Sequence, residues 1–485
     1  MEAWLPPLVA GLLPVLFVPV AVDAFILPRA ALTLLGGAVL FAAGLLWGRG
    51  SLGGLALPAA AVAAAAVAAG LQSIAPNLSL VGAYGRYESA PMRLAYLGLL
   101  CGAAWLGGRE RTVTAYLAGS AVAAVEAIAQ ALLGSLPRPD GNLGQPNLLG
   151  GVLAMAVPLA VHRSRRDRRW LVLAVLLAAG LLVSFSRSGW LAAAAGLAVL
   201  PVLLVPRRLA LPAAAAAGLV MVTAATLMLA SPLRSLNHDT GSARLGVWAD
   251  SVRLVAARPL LGWGEDTMGL VFGRYQSRDW EPGDSFDRAH SLPLDLAAAQ
   301  GALGLAACIW LFATWWLGVY RRKELAGVAA AAAAYLAWSL LNFDWAPVTA
   351  AFWLLAGSAW PAAQREPRPA RLQPWRLLAA GPLLLAALLL AVPPLLADLS
   401  AYAGRPAQAA ALDPLQPRYR ASVGGLKGLR SAAALNDPEP GVYVALGDAE
   451  ARAGHRREAE QAYAHALRLY PFYAEAQSRL VNSRR

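Results

Sequence analysis

Apolar residues in this chain come in long runs, and thirteen of the runs are long enough to cross about 30 Å of hydrocarbon. They lie near 5–27, 30–48, 52–73, 91–107, 112–134, 146–162, 170–186, 188–205, 209–230, 290–320, 324–343, 346–362 and 376–398. Pro14, Pro19, Pro158 and Pro382 fall inside runs, where neighbouring helices can satisfy the carbonyl that a proline frees. The Ala- and Gly-rich stretch 56–70 predicts an interior helix, because small residues let membrane helices approach closely. One long polar segment, 231–289, interrupts the pattern between the ninth and tenth runs. The pattern predicts an all-α polytopic membrane bundle of about 12–13 transmembrane helices with one large loop. Four units follow: N-terminal transmembrane helices over 1–141, a membrane core with its loop over 142–362, a final transmembrane helix within 363–400, and a tail over 401–485.

Composition agrees with that reading. At 58% hydrophobic and 14% charged, the chain holds more apolar side chain than a soluble core of 485 residues would bury. The net charge of +13 would suggest nucleic acid in a soluble protein, but here the basic residues gather in alternate turns. Arg49, Arg109-Glu110-Arg111, the run 162–169, Arg207-Arg208, Arg321-Arg322-Lys323 and the segment 365–371 all fall on one side when the N-terminus is placed inside. That distribution is the cytoplasmic excess of Lys and Arg, so no nucleic-acid partner is implied, and 73–90, 134–145, 231–289 and everything after about 398 are expected to face outward. Cys101 and Cys308 have no Cys or His at ligand spacing, which points to neither a disulfide framework nor a zinc site. The first run has no basic leader and no small-residue cleavage site, so a retained first helix is expected.

The tail is different material. Tyr443, Leu446, Gly447, Gly454, Ala459, Tyr463, Ala466 and Pro471 have the spacings of one 34-residue tetratricopeptide repeat. A single repeat cannot bury its own face. Either further helices lie between 405 and 442, or the tail docks on a partner protein.

Candidate chemistry concentrates at the end of the polar segment. His290 opens an apolar run, and its ring nitrogen can take a proton from a hydroxyl near neutral pH; the plainer reading is an interfacial anchor at a helix start. Ser291 suits a helix cap. Arg187 lies between two apolar runs, where it either serves a site or snorkels to headgroups. Arg244 precedes an amphipathic stretch and carries the planar fork that suits phosphate oxygens. Arg258 and Arg288 are further candidates, the latter as neighbour of the histidine. Arg86 lies in the aromatic segment 82–88, and segment 142–147 offers amides at the start of the sixth run; for both segments loop and cap roles are the simpler reading. Asp284 and Asp287 make a poor metal pair without a second cluster, though Asp287 is close enough in sequence to orient the imidazole.

His290-Ser291, nine residues and Gly301-Ala302-Leu303-Gly304 form a signature that resembles that of the bacterial O-antigen ligase family. The resemblance extends through Ser184-Phe185-Ser186-Arg187-Ser188-Gly189, Arg244 to Trp248 and Arg258 to Gly264, and covers roughly 142–345. It implies a membrane glycan transferase in which His290 is the base, Arg187 and Arg244 hold the pyrophosphate of a polyprenyl-linked donor, and neither metal nor organic cofactor takes part. It also implies the bacterial cytoplasmic membrane, with loop and tail outward. Lipid, glycan and protein acceptors all remain compatible, so ligase, polymerase and protein O-glycosylation readings stand together. A transporter or a repeat scaffold is the reading from a different class, and it leaves His290 and the arginines without a role.

Overall fold

The computed structural model describes residues 4–48, 50–230, 242–283, 285–361 and 374–484. Arg49, residues 231–241, Asp284 and the basic segment 362–373 therefore lie outside the described residues. The described residues contain no strand. In chain order the helices are α1 Leu5–Leu12, α2 Ile26–Trp47, α3 Ala56–Leu71, α4 Pro76–Val81, α5 Ala90–Leu106, α6 Arg109–Leu133, α7 Pro146–Ser164 and α8 Arg169–Val183. There follow α9 Arg187–Leu204, α10 Arg207–Ala230, α11 Ser242–Ala257, α12 Met268–Val271, α13 Leu292–Val319, α14 Ala326–Ser339, α15 Ala346–Ala359 and α16 Pro374–Tyr402. The tail adds α17 Pro406–Leu412, α18 Pro417–Ser422, α19 Gly425–Ala434, α20 Pro440–Arg452, α21 Arg456–Leu469 and α22 Ala474–Arg484. Six helical stretches, Ile26–Trp47, Gly53–Leu71, Arg109–Leu133, Arg187–Leu204, Leu292–Val319 and Pro374–Tyr402, are long and apolar enough to cross a membrane by length and composition; α5, α8 and α15 are shorter and apolar. The chain is an all-α polytopic membrane bundle.

Two expectations need correction. The first apolar run is not one helix: α1 stops at Leu12, and residues 13–25 are irregular before α2 begins. Pro14 and Pro19 lack the amide that would continue the helix, and the carbonyls left over are met by Arg29, a fully buried side chain of α2. Its guanidinium donates to the carbonyls of Leu13 at 2.8 Å, Phe25 at 2.8 Å and Asn142 at 3.0 Å, so the charge is spread over peptide oxygens and the break is sewn to the next segment. The Ala-rich α3 is not interior either, since only 33% of its apolar stretch is buried. Close packing by small residues occurs instead where α2 crosses α5. A Cβ added to Gly37 would stand 2.4 Å from the Ala95 carbonyl oxygen, and one on Gly98 would stand 2.5 Å from that of Gly37.

Helix α13 is broken at Gly301, whose φ of 68° lies in the left-handed region. The break frees hydrogen-bonding groups, and the segment 259–264 supplies their partners. Trp263 and Gly264 donate to the carbonyls of Ala298 and Ala299 at 2.8 and 3.0 Å, while Ala302 and Leu303 donate to those of Pro259 and Leu260 at 2.7 and 3.3 Å. The proline- and glycine-rich motif is thus a strap laid across a helix break. A Cβ on Gly301 would meet the Leu260 backbone at 2.2 Å on a residue already in the left-handed region, whereas one on Gly304, which has no such backbone strain, would meet the Gln300 side chain at 2.3 Å. Gly301→Ala is therefore expected to lower the thermal midpoint of the detergent-solubilised protein well beyond Gly304→Ala, with backbone strain alone costing roughly 1–3 kcal/mol. Equal midpoints for the two variants would contradict the strap.

The tail packs on the end of the bundle that carries His290. Asp398, at the end of α16, accepts from the Asp23 amide at 2.9 Å, Tyr84 at 2.7 Å and Tyr419 at 3.0 Å. Asn77 donates to the Leu435 carbonyl at 2.7 Å, Gln416 donates to that of Gly82 at 3.1 Å, and Gly273 lies close against the backbone of Leu469. Helices α17 to α19 fill the stretch 405–442, and α20 and α21 form a hairpin in which Gly447 makes room for the Tyr463 ring. Of the two expectations, the further helices between 405 and 442 are present, and loops of the chain's own membrane bundle also pack against the tail.

Candidate active site

His290 stands just before α13 with φ of 53°, a left-handed conformation that costs an L-residue with a bulky side chain of order 1–3 kcal/mol. Its two flanking peptides are held in place. Asp295, in the first turns of α13, accepts from the Ala289 amide at 2.7 Å and the Ser291 amide at 3.4 Å, and the Trp248 indole donates to the Ala289 carbonyl at 2.9 Å. Ser291 occupies the cap position, yet its hydroxyl makes no capping bond; the carboxylate of Asp295 reaches back and does that work for the loop. The imidazole packs edge-on against Phe343, with ring centres 5.2 Å apart.

Phe343 also receives Arg86 over its ring. Its guanidinium lies 4.8 Å from the Phe343 ring centre and 4.9 Å from that of Trp345, and it binds both oxygens of Asp287 at 2.6 and 3.1 Å. Burial raises the Asp287 carboxyl, but Arg86 and His290 beside it outweigh burial and hold it below its ordinary value. Asp287 is thus the anion that orients Arg86, held by a two-point ion pair although its side chain is still partly exposed. Asp266 ties the same segment down: it accepts from the amides of Ala83 at 2.7 Å and Glu88 at 3.0 Å and pairs with the buried Arg288.

His290, Arg86 and Arg244 line one cavity of about 230 Å³. Arg244 reaches it from the first turn of α11, anchored by a 2.9 Å bond to the Leu341 carbonyl, while Trp248 one turn later on the same helix supports the histidine loop. Gln145, Asn147, Trp338, Asn342, Trp345 and Glu281 complete the polar and aromatic walls. Segment 142–147 does not leave its helix N-terminus open to an anion, because Gln145 accepts from the Leu148 amide at 3.0 Å. Asn147 accepts from Ser186 at 3.0 Å, which sets the half-buried Arg187 at the start of α9 beside the cavity wall, although it is not a lining residue. That approach depends on glycine, since a Cβ on Gly150 would stand 2.4 Å from the Ser186 hydroxyl.

Two candidates lie elsewhere. Arg258 stacks on Trp263, 4.4 Å from the ring centre, within the strap of α13. Arg288 is buried against Asp266 below the cavity. Sequence reasoning missed Asp266, Asp295, Trp248 and Glu281. Asp295 gave a signal, a carboxylate five residues into an apolar run, where an intramembrane charge marks a role. Asp266 and Glu281 gave none, as acids in a polar loop.

Architecture and site together define a polytopic membrane protein with a cationic, aromatic-walled cavity at one end of its bundle. Residues 171–309 match the family model described as O-antigen ligase. The matched stretch contains Arg187, Arg244, Arg258, Arg288 and His290, while Arg86, Asn147 and the wall at 338–345 come from outside it. No curated protein matches the chain.

Proposed function

We propose that the chain transfers a glycan from a polyprenyl-pyrophosphate donor to an acceptor hydroxyl, with inversion and without a metal ion, at the outer side of the bacterial cytoplasmic membrane. The observation that carries this reading is the convergence of His290, Arg86 and Arg244 on one cavity. His290 removes the acceptor proton, the acceptor oxygen attacks the anomeric carbon from the face opposite the leaving group, and the bond to pyrophosphate breaks with its electron pair going to the phosphate oxygen. Arg244, with Arg86 and Arg187 close by, stabilises the charge that develops there. Arg258 and Arg288 act through structure, holding the strap and the floor. The distribution of basic turns supports an outward orientation for this end of the bundle, where a flipped lipid donor would be met. Lipid, glycan and protein acceptors share this donor chemistry, and the tail, with its tetratricopeptide-like spacing, is the element suited to a partner protein.

Single-turnover transfer from a purified polyprenyl-pyrophosphate glycan tests the reading. Product is expected in EDTA as in buffer. Arg244→Ala should weaken donor binding and turnover together, because its charge meets pyrophosphate before and during departure, and Arg244→Lys should recover only part, since an ammonium lacks the fork. Activity abolished by EDTA and restored by magnesium would overturn the mechanism.

A further inference from the structure

We propose that Asp266 is a positioning residue of the reaction: its one carboxylate spans the two loops from which His290 and Arg86 reach the cavity, and so sets the place of the base. This deepens the glycan-transfer reading and rests on it.

Asp266 follows the strap laid across α13 and is buried. Its two oxygens serve different segments. One accepts from the amides of Ala83 and Glu88, which closes the turn that carries Arg86, and the other pairs with Arg288, two residues before His290. Asp295 orients the histidine within its own loop through the flanking amides, whereas Asp266 fixes where that loop stands against the Arg86 turn. The two loops converge on one ring: the Phe343 centre lies 4.8 Å from the Arg86 guanidinium, 5.8 Å from that of Arg288 and 5.2 Å from the imidazole centre.

Backbone strain marks the same place. Five non-glycine residues among the described ones have a positive φ, and three of them are Tyr87 at 57°, Asp266 at 56° and His290 at 53°, one in each segment that the carboxylate joins. Conformations of this kind persist only where their surroundings over-determine them, and they gather where the geometry of a site matters. The pair also balances charge, because Arg288 is as buried as its partner and loss of the carboxylate would strand a cation. That is a stability role, and it separates from positioning by substitution. Asp266→Asn keeps an oxygen for the two amides and tolerates the left-handed backbone. Arg288→Met then removes the stranded charge, so the Arg86 turn stays tied while the His290 loop loses its tether.

The test uses the full-length protein in detergent and follows three quantities in Asp266→Asn and in the double variant Asp266→Asn/Arg288→Met. They are the thermal midpoint, the His290 ring signal in NMR of histidine-labelled protein, and single-turnover transfer from a polyprenyl-pyrophosphate glycan with donor binding measured separately. The chain has five histidines, so the His290 signal is assigned as the one lost in His290→Ala. The single variant should lose thermal midpoint and the double variant should regain most of it. The double variant should nevertheless show a shifted His290 signal and a transfer rate lower by about 10- to 100-fold, the size that a misplacement of about 1 Å can cost, with donor binding within about threefold of the parent. Transfer that recovers in step with the midpoint, or a His290 signal that stays at the parent position, would overturn the proposal and leave the pair with charge balance alone. If the double variant does not fold, Arg288→Lys carries the same test, since it keeps the charge at a different reach: a folded Arg288→Lys protein with the parent signal and rate would overturn the proposal equally. A parent that transfers no glycan, beside a double variant whose His290 signal is shifted, would leave the positioning standing and overturn the transfer reading.

Discussion

His290→Ala is expected to fold, insert and bind the lipid-linked donor, yet to lose turnover by about 10²- to 10⁴-fold, the usual contribution of a positioned general base. The separation follows from geometry. The groups suited to pyrophosphate, Arg86 and Arg244, are fixed mainly by the Asp287 ion pair, the Trp345 ring and the Leu341 carbonyl, and only the Phe343 ring among their supports packs on the imidazole. The backbone at 290 is held by Asp295 and Trp248 through neighbouring peptides, so removing the side chain leaves the loop anchored. Alanine accepts the left-handed φ as poorly as histidine does, so the strain is unchanged. Single-turnover transfer with donor binding measured in parallel checks this. A variant that transfers at the parent rate would return His290 to an anchoring role, and one that loses donor binding as well would place the residue among the donor contacts.

The membrane bundle was legible because its signal is one-dimensional. A run of twenty apolar residues has one stable environment, and the boundaries of Arg187–Leu204 and Leu292–Val319 follow closely from where the runs begin and end. The first run failed because prolines that a membrane helix can tolerate here end one, and the buried Arg29 that meets the exposed carbonyls has partners that exist only once the helix is broken. The Ala-rich α3 failed for a related reason, since small residues permit close approach without requiring it.

For the site, residues whose type is chemically distinctive were found, and those whose role is set by three-dimensional context were not. His290 and Arg244 stood out by sequence and line one cavity with Arg86, whose segment read more simply as a loop, whereas Arg187, which also stood out, does not line it. Arg258 and Arg288, the further candidates, are held instead by Trp263 and Asp266, five and twenty-two residues away in sequence, contacts that no spacing rule distinguishes from a ligand-facing cation. Asp266 joins segments nearly two hundred residues apart, so only the fold could reveal it. The first glycine of the signature, Gly301, breaks a helix, a role that its spacing alone does not reveal.

Arg93→Met is expected to be the most destabilising of the substitutions considered, because it strands buried acids. Arg93 on α5 pairs with Glu265 at 3.3 Å, with Glu88 at 3.6 Å and with Asp344. Tyr96 donates to Glu88 at 2.6 Å, Gln300 to Glu265 at 2.5 Å and Tyr335 to Asp344 at 2.7 Å, so the cluster joins α5, α13, α14 and three loops. Breaking a buried pair by removing one partner costs about 3–5 kcal/mol, and here three carboxylates lose the same partner. The deficit should depend on pH, with a sign that can be worked out. Burial already pushes Glu88 up to about 7 from its ordinary 4.5, with Arg93 only partly opposing, so the folded chain keeps a proton there that the unfolded chain has released. That group's contribution falls as pH rises through this window, and without Arg93 its carboxyl rises further. Thermal unfolding in detergent should therefore show the variant far below the parent at pH 8 and closer to it at pH 5.5. Adding Glu88→Gln, Glu265→Gln and Asp344→Asn should recover most of the loss, since neutral groups of the same shape no longer need the cation. A deficit that is flat with pH and unrelieved by neutralisation would mean that Arg93 contributes through its packing, and the charges of the cluster would then need another counterion.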